Sequence, residues 1–303
     1  MKVLLIGLGS IGKKHVHALK SIDPEIEITA LRSNDKDTSV EGVQSVTAEE
    51  QIDFAAVDFA VISNPTYLHG QTVSWLLDKK IPMFIEKPVF HSLEFDALVK
   101  QIEDAQLISY VACNLRFLEA LEFLKQSLTG KRINEVNSYC GSFLPDWRPG
   151  QDVQSSYSAH AELGGGVHLD LIHEIDYACW LFGLPVFTHR YVSSSSSLQL
   201  NSIDYAHYLL KYESFTMSVT LNYFRRDAKR TLEVVCEEGT FTVDLLKNSV
   251  DFQGQTVFSS AQKIADTYEK QMRYFMQQWN TGILPMNQVE EAYEILKICL
   301  KEG

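Results

Sequence analysis

Lys87 is the residue whose type and setting most plainly offer proton chemistry. It stands in Glu86-Lys87-Pro88, directly after the short apolar run Met83–Ile85. A lysine at a strand terminus that faces a ligand cleft can serve as general acid and base for a carbonyl–alcohol pair, a role that typically contributes about 10²–10⁴ in rate. Glu86 can orient it or contact a ribose. Pro88 fixes the turn, and a cis Lys87–Pro88 bond is one form of that device. A surface ion pair between the two neighbours is the competing reading, and the position after the fourth apolar run of a nucleotide-binding pattern weighs against it.

A second group lies in the stretch Gly164-Gly165-Gly166-Val167-His168-Leu169-Asp170-Leu171-Ile172-His173-Glu174-Ile175-Asp176. Three glycines before a helix permit positive φ and a close approach of backbone to ligand. On one helix, Asp170 and His173 share a face at a spacing of three, as do Asp170 and Glu174 at four. An Asp–His pair beside a lysine can bind a substrate hydroxyl and set the direction of its proton. His168, Asp170, His173 and Glu174 have the chemistry of metal ligands. His168 and His173, however, are five apart and do not share a helical face well, so no metal is expected. A core histidine satisfied by hydrogen bonds is the plain alternative. Asn114 and Arg116 in Asn114-Leu115-Arg116-Phe117, and Trp147 and Arg148 in Trp147-Arg148-Pro149-Gly150, add donors and an aromatic face suited to a polar, hydroxylated ligand. Trp147 serves equally well as a loop anchor.

The partner for this chemistry is indicated at the N-terminus. Val3–Leu8 is an apolar strand pattern that runs into Gly7-Leu8-Gly9-Ser10-Ile11-Gly12. Gly7 makes the tight turn, Gly9 lets backbone approach a pyrophosphate, and Gly12 lets the helix pack on the strand, with Ser10 and Ile11 opening that helix. An acid at the end of the second strand would select NAD. The chain instead has Leu31-Arg32-Ser33-Asn34, where Arg32 and Ser33 supply donors for a 2′-phosphate. NADP(H) is therefore favoured; an Arg32 that only stacks on adenine leaves NAD(H) usable. Ser63, Asn64 and Pro65 end the third apolar run and lead through Thr66 to His69, a position that lines the cofactor cleft, although Thr66 suits a helix N-cap as well.

The elements that must carry these residues alternate. Apolar runs at Val3–Leu8, Ile26–Leu31, Phe59–Ile62, Met83–Ile85 and Leu107–Ala112 are separated by helical patterns near Ile11–Ser21, Tyr67–Asp78 and Leu93–Ala105. This predicts an α/β, doubly wound parallel sheet over residues 1–116. Residues 117–303 read differently. A helix at Phe117–Leu128 precedes a strand at Glu135–Gly141, and an irregular stretch, Leu144–Gly166, leads to one helix over Val167–Phe182. Strands then dominate from Phe187 to Phe258, and helices near Ala265–Trp279 and Gln288–Leu300 close the chain. The alternation Met217, Val219, Leu221, Tyr223 predicts an antiparallel sheet with one buried and one more polar face. The serine run Ser193–Ser197 reads as a loop.

Composition sets the outer limits. A chain of 303 residues exceeds what one core usually serves, so two domains are expected. A net charge of −12 argues against nucleic acid as a partner. No apolar stretch reaches the roughly 18 residues of a membrane span. The first strand follows Met1-Lys2 at once, which leaves no room for a cleavable signal peptide. The five cysteines are scattered without paired spacing. Reduced thiols and a cytoplasmic protein are the expectation.

Taken together, the glycine turn, Glu86-Lys87-Pro88, Asn114-x-Arg116-Phe117 and the glycine triplet with its Asp/His helix resemble the Gfo/Idh/MocA oxidoreductases, the family of glucose–fructose oxidoreductase and myo-inositol dehydrogenase. The resemblance spans essentially the whole chain. It implies a Rossmann domain followed by an α/β domain with a large, mostly antiparallel sheet, whose open face commonly forms a homodimer or homotetramer interface. It implies pyranose, inositol or nucleotide-sugar substrates, with Lys87 as catalytic acid/base and Asp170 and His173 assisting. The family often separates its helix Asp and His by four positions, whereas His173 follows Asp170 by three and Glu174 takes the fourth position. The spacing His173-x-x-Asp176 matches, so His173 takes the family histidine's place. Leu144-Pro145-Asp146-Trp147-Arg148-Pro149-Gly150 with His173-Glu174-Ile175-Asp176 is similar to a bacterial branch linked to surface-sugar biosynthesis. A non-catalytic regulator of the same fold and a reductase of a non-sugar ring are the alternatives.

Overall fold

The computed structural model describes residues 1–33 and 40–301; Asn34, the last residue of the motif after the second strand, lies outside them. The chain divides into two units. The first comprises Met1–Cys113 with Tyr268–Glu294, and the second comprises Asn114–Thr267 with the segment that begins at Ile295.

The first unit runs β1 (Lys2–Ile6), α1 (Ser10–Ile22), β2 (Glu27–Leu31), β3 (Val43–Val46), β4 (Phe59–Ile62), α2 (His69–Asp78), β5 (Met83–Glu86), α3 (Asp96–Ala105) and β6 (Ser109–Ala112). Six parallel strands form one sheet in the order β3-β2-β1-β4-β5-β6. Every residue of β4, β5 and β6 is buried, the condition under which strands read as unbroken apolar runs. β3 escaped that reading: it lies at the sheet edge, and of its four residues only Val46 is buried. The strand order reverses between β1 and β4, and the carboxyl ends of those two strands open the crevice where doubly wound sheets bind ligands.

Sequence patterning places the helix near Ala265–Trp279 with the second domain. The structure packs the segment Tyr268–Glu294 into the first unit instead. The Phe275 ring meets Phe59 at 5.1 Å and Phe84 at 5.5 Å, and Asn287 Nδ2 donates to the Val111 carbonyl at 2.7 Å. A helix that returns across so much intervening chain leaves no local mark of where it packs.

The second unit contains α4 (Glu119–Ser127), β7 (Ile133–Phe143), α5 (Val167–Asp170), α6 (His173–Phe182), β8 (Phe187–Ser193), β9 (Tyr205–Lys211), β10 (Thr216–Asn222), β11 (Phe224–Cys236), β12 (Gly239–Asp244), β13 (Ser249–Phe252) and β14 (Gln255–Ser259). The chain closes with α7 (Thr267–Thr281) and α8 (Val289–Leu300). Eight strands form one sheet, β14-β13-β12-β11-β7-β10-β9-β8. It is antiparallel except where β10 runs parallel to β7. The alternation in β10 therefore reported the burial of Met217, Val219 and Leu221 correctly, but one-sided burial does not fix a neighbour's direction. The helix expected over Val167–Phe182 is two, α5 and α6, broken at Leu171 and Ile172. Both pack on the central strands, α5 against β9 and β10 and α6 against β7.

Candidate active site

The glycine turn sits at the reversal of strand order. Gly7 has φ +90°, and a Cβ there would lie 2.7 Å from the Asn64 backbone nitrogen, so only glycine fits between the ends of β1 and β4. Ser63 also binds the turn, its Oγ donating to the Gly7 carbonyl at 2.7 Å. Gly9 differs: a Cβ on it would meet nothing of the protein within 4 Å. α1 starts there with no side-chain cap and no acidic residue in its first turn. Backbone open to approach at Gly9, beside the uncapped helix start of Ser10, Ile11 and Gly12, fits a dinucleotide pyrophosphate. At the end of β2, the Arg32 amide donates to the Val46 carbonyl at 2.9 Å. Arg32 is half-buried and Ser33 is exposed.

Glu86 and Lys87 emerge at the carboxyl end of β5, and the Lys87–Pro88 bond is cis. Glu86 is buried, and its Oε1 lies 2.6 Å from Nε2 of His15, a fully buried residue of α1. His15 thus ties the helix that begins at the glycine turn to the strand end that carries Lys87. Nothing in the sequence pattern singled it out, since the pairing spans 71 positions.

His69 is equally buried and links the two turns of this edge. Its Nε2 lies 3.1 Å from the Asn64 carbonyl, and its Nδ1 lies 3.1 and 3.2 Å from those of Pro88 and Val89. Burial lowers its pKa. Expected to line the cofactor, His69 instead braces the Ser63-Asn64-Pro65 turn against the turn after Lys87. Asn64 donates from Nδ2 to Thr72 Oγ1 at 2.9 Å.

In the second unit, Asp170 ends α5 and His173 begins α6. The Tyr157 hydroxyl donates to Asp170 Oδ1 at 2.8 Å, and the Tyr223 hydroxyl donates to Oδ2 at 2.5 Å. Burial, reinforced by the Asp170 charge, pushes both phenols above their usual pKa, so both remain donors. Neither tyrosine was singled out from sequence. Tyr223 is the last position of the β10 alternation, whereas Tyr157 lies in an irregular segment without pattern.

The glycine triplet seats that irregular segment. Gly164 and Gly166 have φ of +80° and +134°. A Cβ on Gly165 would press into the backbone carbonyls of Tyr157 and His160. The close approach expected of these glycines is thus made by the protein's own Tyr157–His160 backbone. Trp147 and Arg148 lie in the same segment. Trp147 is 40% exposed; its ring stands edge-on to Tyr223 at 5.5 Å and donates from Nε1 to Ser142 Oγ at 2.9 Å. The Arg148 guanidinium covers the Tyr157 ring at 5.4 Å. Both border a small pocket with Gln151, Asp152 and Tyr157.

Other expected residues turn inward. Glu174 is fully buried and accepts two bonds from Arg230, at 2.6 and 3.1 Å. Arg116 is 1% exposed and donates from Nε and Nη2 to Asp176 at 3.0 and 2.7 Å. Asn114 donates from Nδ2 to Thr267 Oγ1 at 2.6 Å inside the fold. His168 is buried beside Arg190 and Asp170, and desolvation lowers its pKa to about 4. Among the described residues no group of three or more His, Cys, Asp or Glu side chains is arranged to hold a metal ion.

Comparison with known proteins gives consistent matches. Residues 1–112 match the profile of an oxidoreductase family with an NAD-binding Rossmann fold, and residues 122–242 match the GFO/IDH/MocA C-terminal domain. The chain is 23% identical to a myo-inositol 2-dehydrogenase of Thermotoga maritima, with 94% of this chain and 90% of that protein covered. Among solved structures, a levoglucosan dehydrogenase in complex with NADH and levoglucosan superposes with a TM-score of 0.85 at 17% identity, covering 99% of this chain and 95% of that one. A UDP-N-acetylglucosamine 3-dehydrogenase of Acidithiobacillus ferrooxidans does so with a TM-score of 0.80 at 17% identity and the same coverage.

Proposed function

Because the chain belongs to the GFO/IDH/MocA oxidoreductases, with their NAD-binding Rossmann fold, we propose that it transfers a hydride between nicotinamide and a secondary alcohol, or the matching ketone, of a sugar or sugar derivative. The observation that carries this reading is the convergence at one sheet edge. The glycine turn, Ser63 and the Glu86-Lys87 pair all lie at the carboxyl ends of neighbouring strands β1, β4 and β5. The relatives' named substrates, an inositol, an anhydrosugar and a nucleotide sugar, support the substrate class.

The nicotinamide, when bound, supplies the redox chemistry by taking or giving the hydride. In the oxidative direction Lys87 Nζ accepts the hydroxyl proton as the carbonyl forms, and in the reductive direction it returns that proton. His15 holds Glu86, and His69 braces the following turn, so Lys87 is presented on a fixed strand end. His173 holds the reacting hydroxyl and Asp170 orients the group around it. Trp147 and Arg148 receive the rest of the ring.

Arg32 and Ser33, at the end of β2, supply donors suited to a 2′-phosphate and favour NADP(H), and NAD(H) remains usable. The open face of the eight-stranded sheet supports assembly with a second copy. Phe187, Tyr191 and Leu209 stand exposed at 54%, 59% and 41%, more apolar surface than a solvated sheet face needs.

The test is nicotinamide absorbance with NADP⁺ and with NAD⁺ against hexoses, amino sugars, uronates, inositols and nucleotide sugars, with Lys87→Met alongside. Turnover that drops at least about 10²-fold in Lys87→Met, at unchanged cofactor affinity, is the expected result. Equal turnover in the variant removes Lys87 from the chemistry. Silence across the panel with cofactor bound favours a regulator of the same fold, and much tighter binding of NADH than NADPH overturns the role given to Arg32.

A further inference from the structure

The two exposed side chains offered to a ligand in the second unit rest on two phenols, and both phenols end on one carboxylate. Trp147 stands edge-on to the Tyr223 ring, and Tyr223 donates to Asp170 Oδ2. Arg148 covers the Tyr157 ring, and Tyr157 donates to Asp170 Oδ1. Asp170 itself is 6% exposed and Tyr223 is fully buried. The separation between the indole and the guanidinium is thus referred back to one fixed group. The glycine triplet has the same geometric logic, because a bare Gly165 is what lets the Tyr157 backbone sit close enough for its hydroxyl to reach.

We propose that Asp170 is a positioning residue that holds the segment carrying Trp147 and Arg148 through Tyr157, while the buried Tyr223 fixes its other carboxylate oxygen, and that Tyr157 is the specificity-determining member of this set. The inference rests on the functional reading above for the identity of the ligand as a hydroxylated ring, and deepens it. With both carboxylate oxygens accepting from phenols, Asp170 acts on the substrate through the aromatic pair. Tyr157 is the adjustable arm: the residue is 42% exposed and belongs to the segment that carries Arg148, whereas Tyr223 is fully buried where β10 passes into β11.

The decisive variant is Tyr157→Phe, which keeps the ring beneath Arg148 and removes only the bond to Asp170. Tyr223→Phe is the companion. It also removes one bond from Asp170, but from a side chain fixed by the core. Amide hydrogen exchange of the full chain with NADP⁺ present needs no substrate. In Tyr157→Phe, exchange over residues 144–156 is expected to rise at least about tenfold, the lower end of what one hydrogen bond to a charged group is worth, while α6 is unchanged. On the sugar turned over by the wild type, KM is expected to rise by a similar factor with kcat within about twofold, the split expected when binding alone is weakened. Tyr223→Phe lowers the melting temperature and leaves the exchange of residues 144–156 near wild type.

Unchanged exchange in Tyr157→Phe overturns the proposal, as does equal loosening in both variants, which makes Asp170 an ordinary core anchor. Faster exchange with an unchanged KM overturns the specificity role. A wild type that turns over no sugar defeats the functional reading, and the exchange result still decides whether Asp170 positions the segment.

Discussion

Arg116 offers the sharpest contrast between a residue type that promises ligand binding and a position that denies it. Replacing it with methionine removes a guanidinium whose Nε and Nη2 donate to the two oxygens of Asp176 at 3.0 and 2.7 Å, with both side chains 1% exposed. The variant leaves a carboxylate in the interior without that counter-charge, a change that costs about 3–5 kcal/mol. Against a typical total of about 5–15 kcal/mol, that is a large share. Urea unfolding, followed by far-ultraviolet circular dichroism, should move the midpoint down by about 1–2.5 M at a slope of roughly 2–3 kcal/mol/M. The double variant Arg116→Met/Asp176→Leu removes both charges at once and should recover most of the loss, because a buried ion pair replaced by apolar groups of similar volume is often near neutral. At a temperature where the folded fraction is high, KM for sugar in the double variant should stay within about twofold of wild type, since no ground-state contact is lost. A single variant as stable as wild type but with KM raised tenfold would refute the structural assignment and return Arg116 to the substrate.

Other consequences are as direct. Gly9→Ala should leave thermal stability unchanged, because its Cβ meets nothing of the protein within 4 Å, yet weaken cofactor binding at least about tenfold in a fluorescence titration if a pyrophosphate fills that space; unchanged affinity would place the pyrophosphate elsewhere. His168 titrates near 4 in the folded chain and near 6.5 when unfolded. Between those values the unfolded chain takes up a proton that the folded one refuses, so stability falls as pH drops through that window and is unaffected above it. The full loss amounts to about 3 kcal/mol. Chemical denaturation across pH 4–7 should show this slope in wild type and a shallower one in His168→Gln; equal slopes would assign the acid sensitivity to other groups.

The fold and the first unit's part of the candidate site were legible because their signals are local. A glycine turn between an apolar strand and a helix, and a lysine ending a buried strand, are patterns of a few neighbouring residues whose meaning follows from backbone geometry. One-sided burial in β10 was readable for the same reason. Distances across the chain were not. The partner of Glu86 lies 71 positions away in α1, and the phenols on Asp170 come from 13 positions before it and 53 after it. Local spacing also misled. Asp170 and His173 suit one helix face, yet α5 ends at the first and α6 begins at the second. Asn114 and Arg116 have the donors of a ligand site, but tertiary packing assigned those donors to Thr267 and Asp176. The sequence determined which residue types are available and the secondary structure that carries them, because those depend on nearest neighbours. The tertiary structure decided which polar group faces which, because a buried donor takes the acceptor that folding brings to it, and no periodicity records that choice.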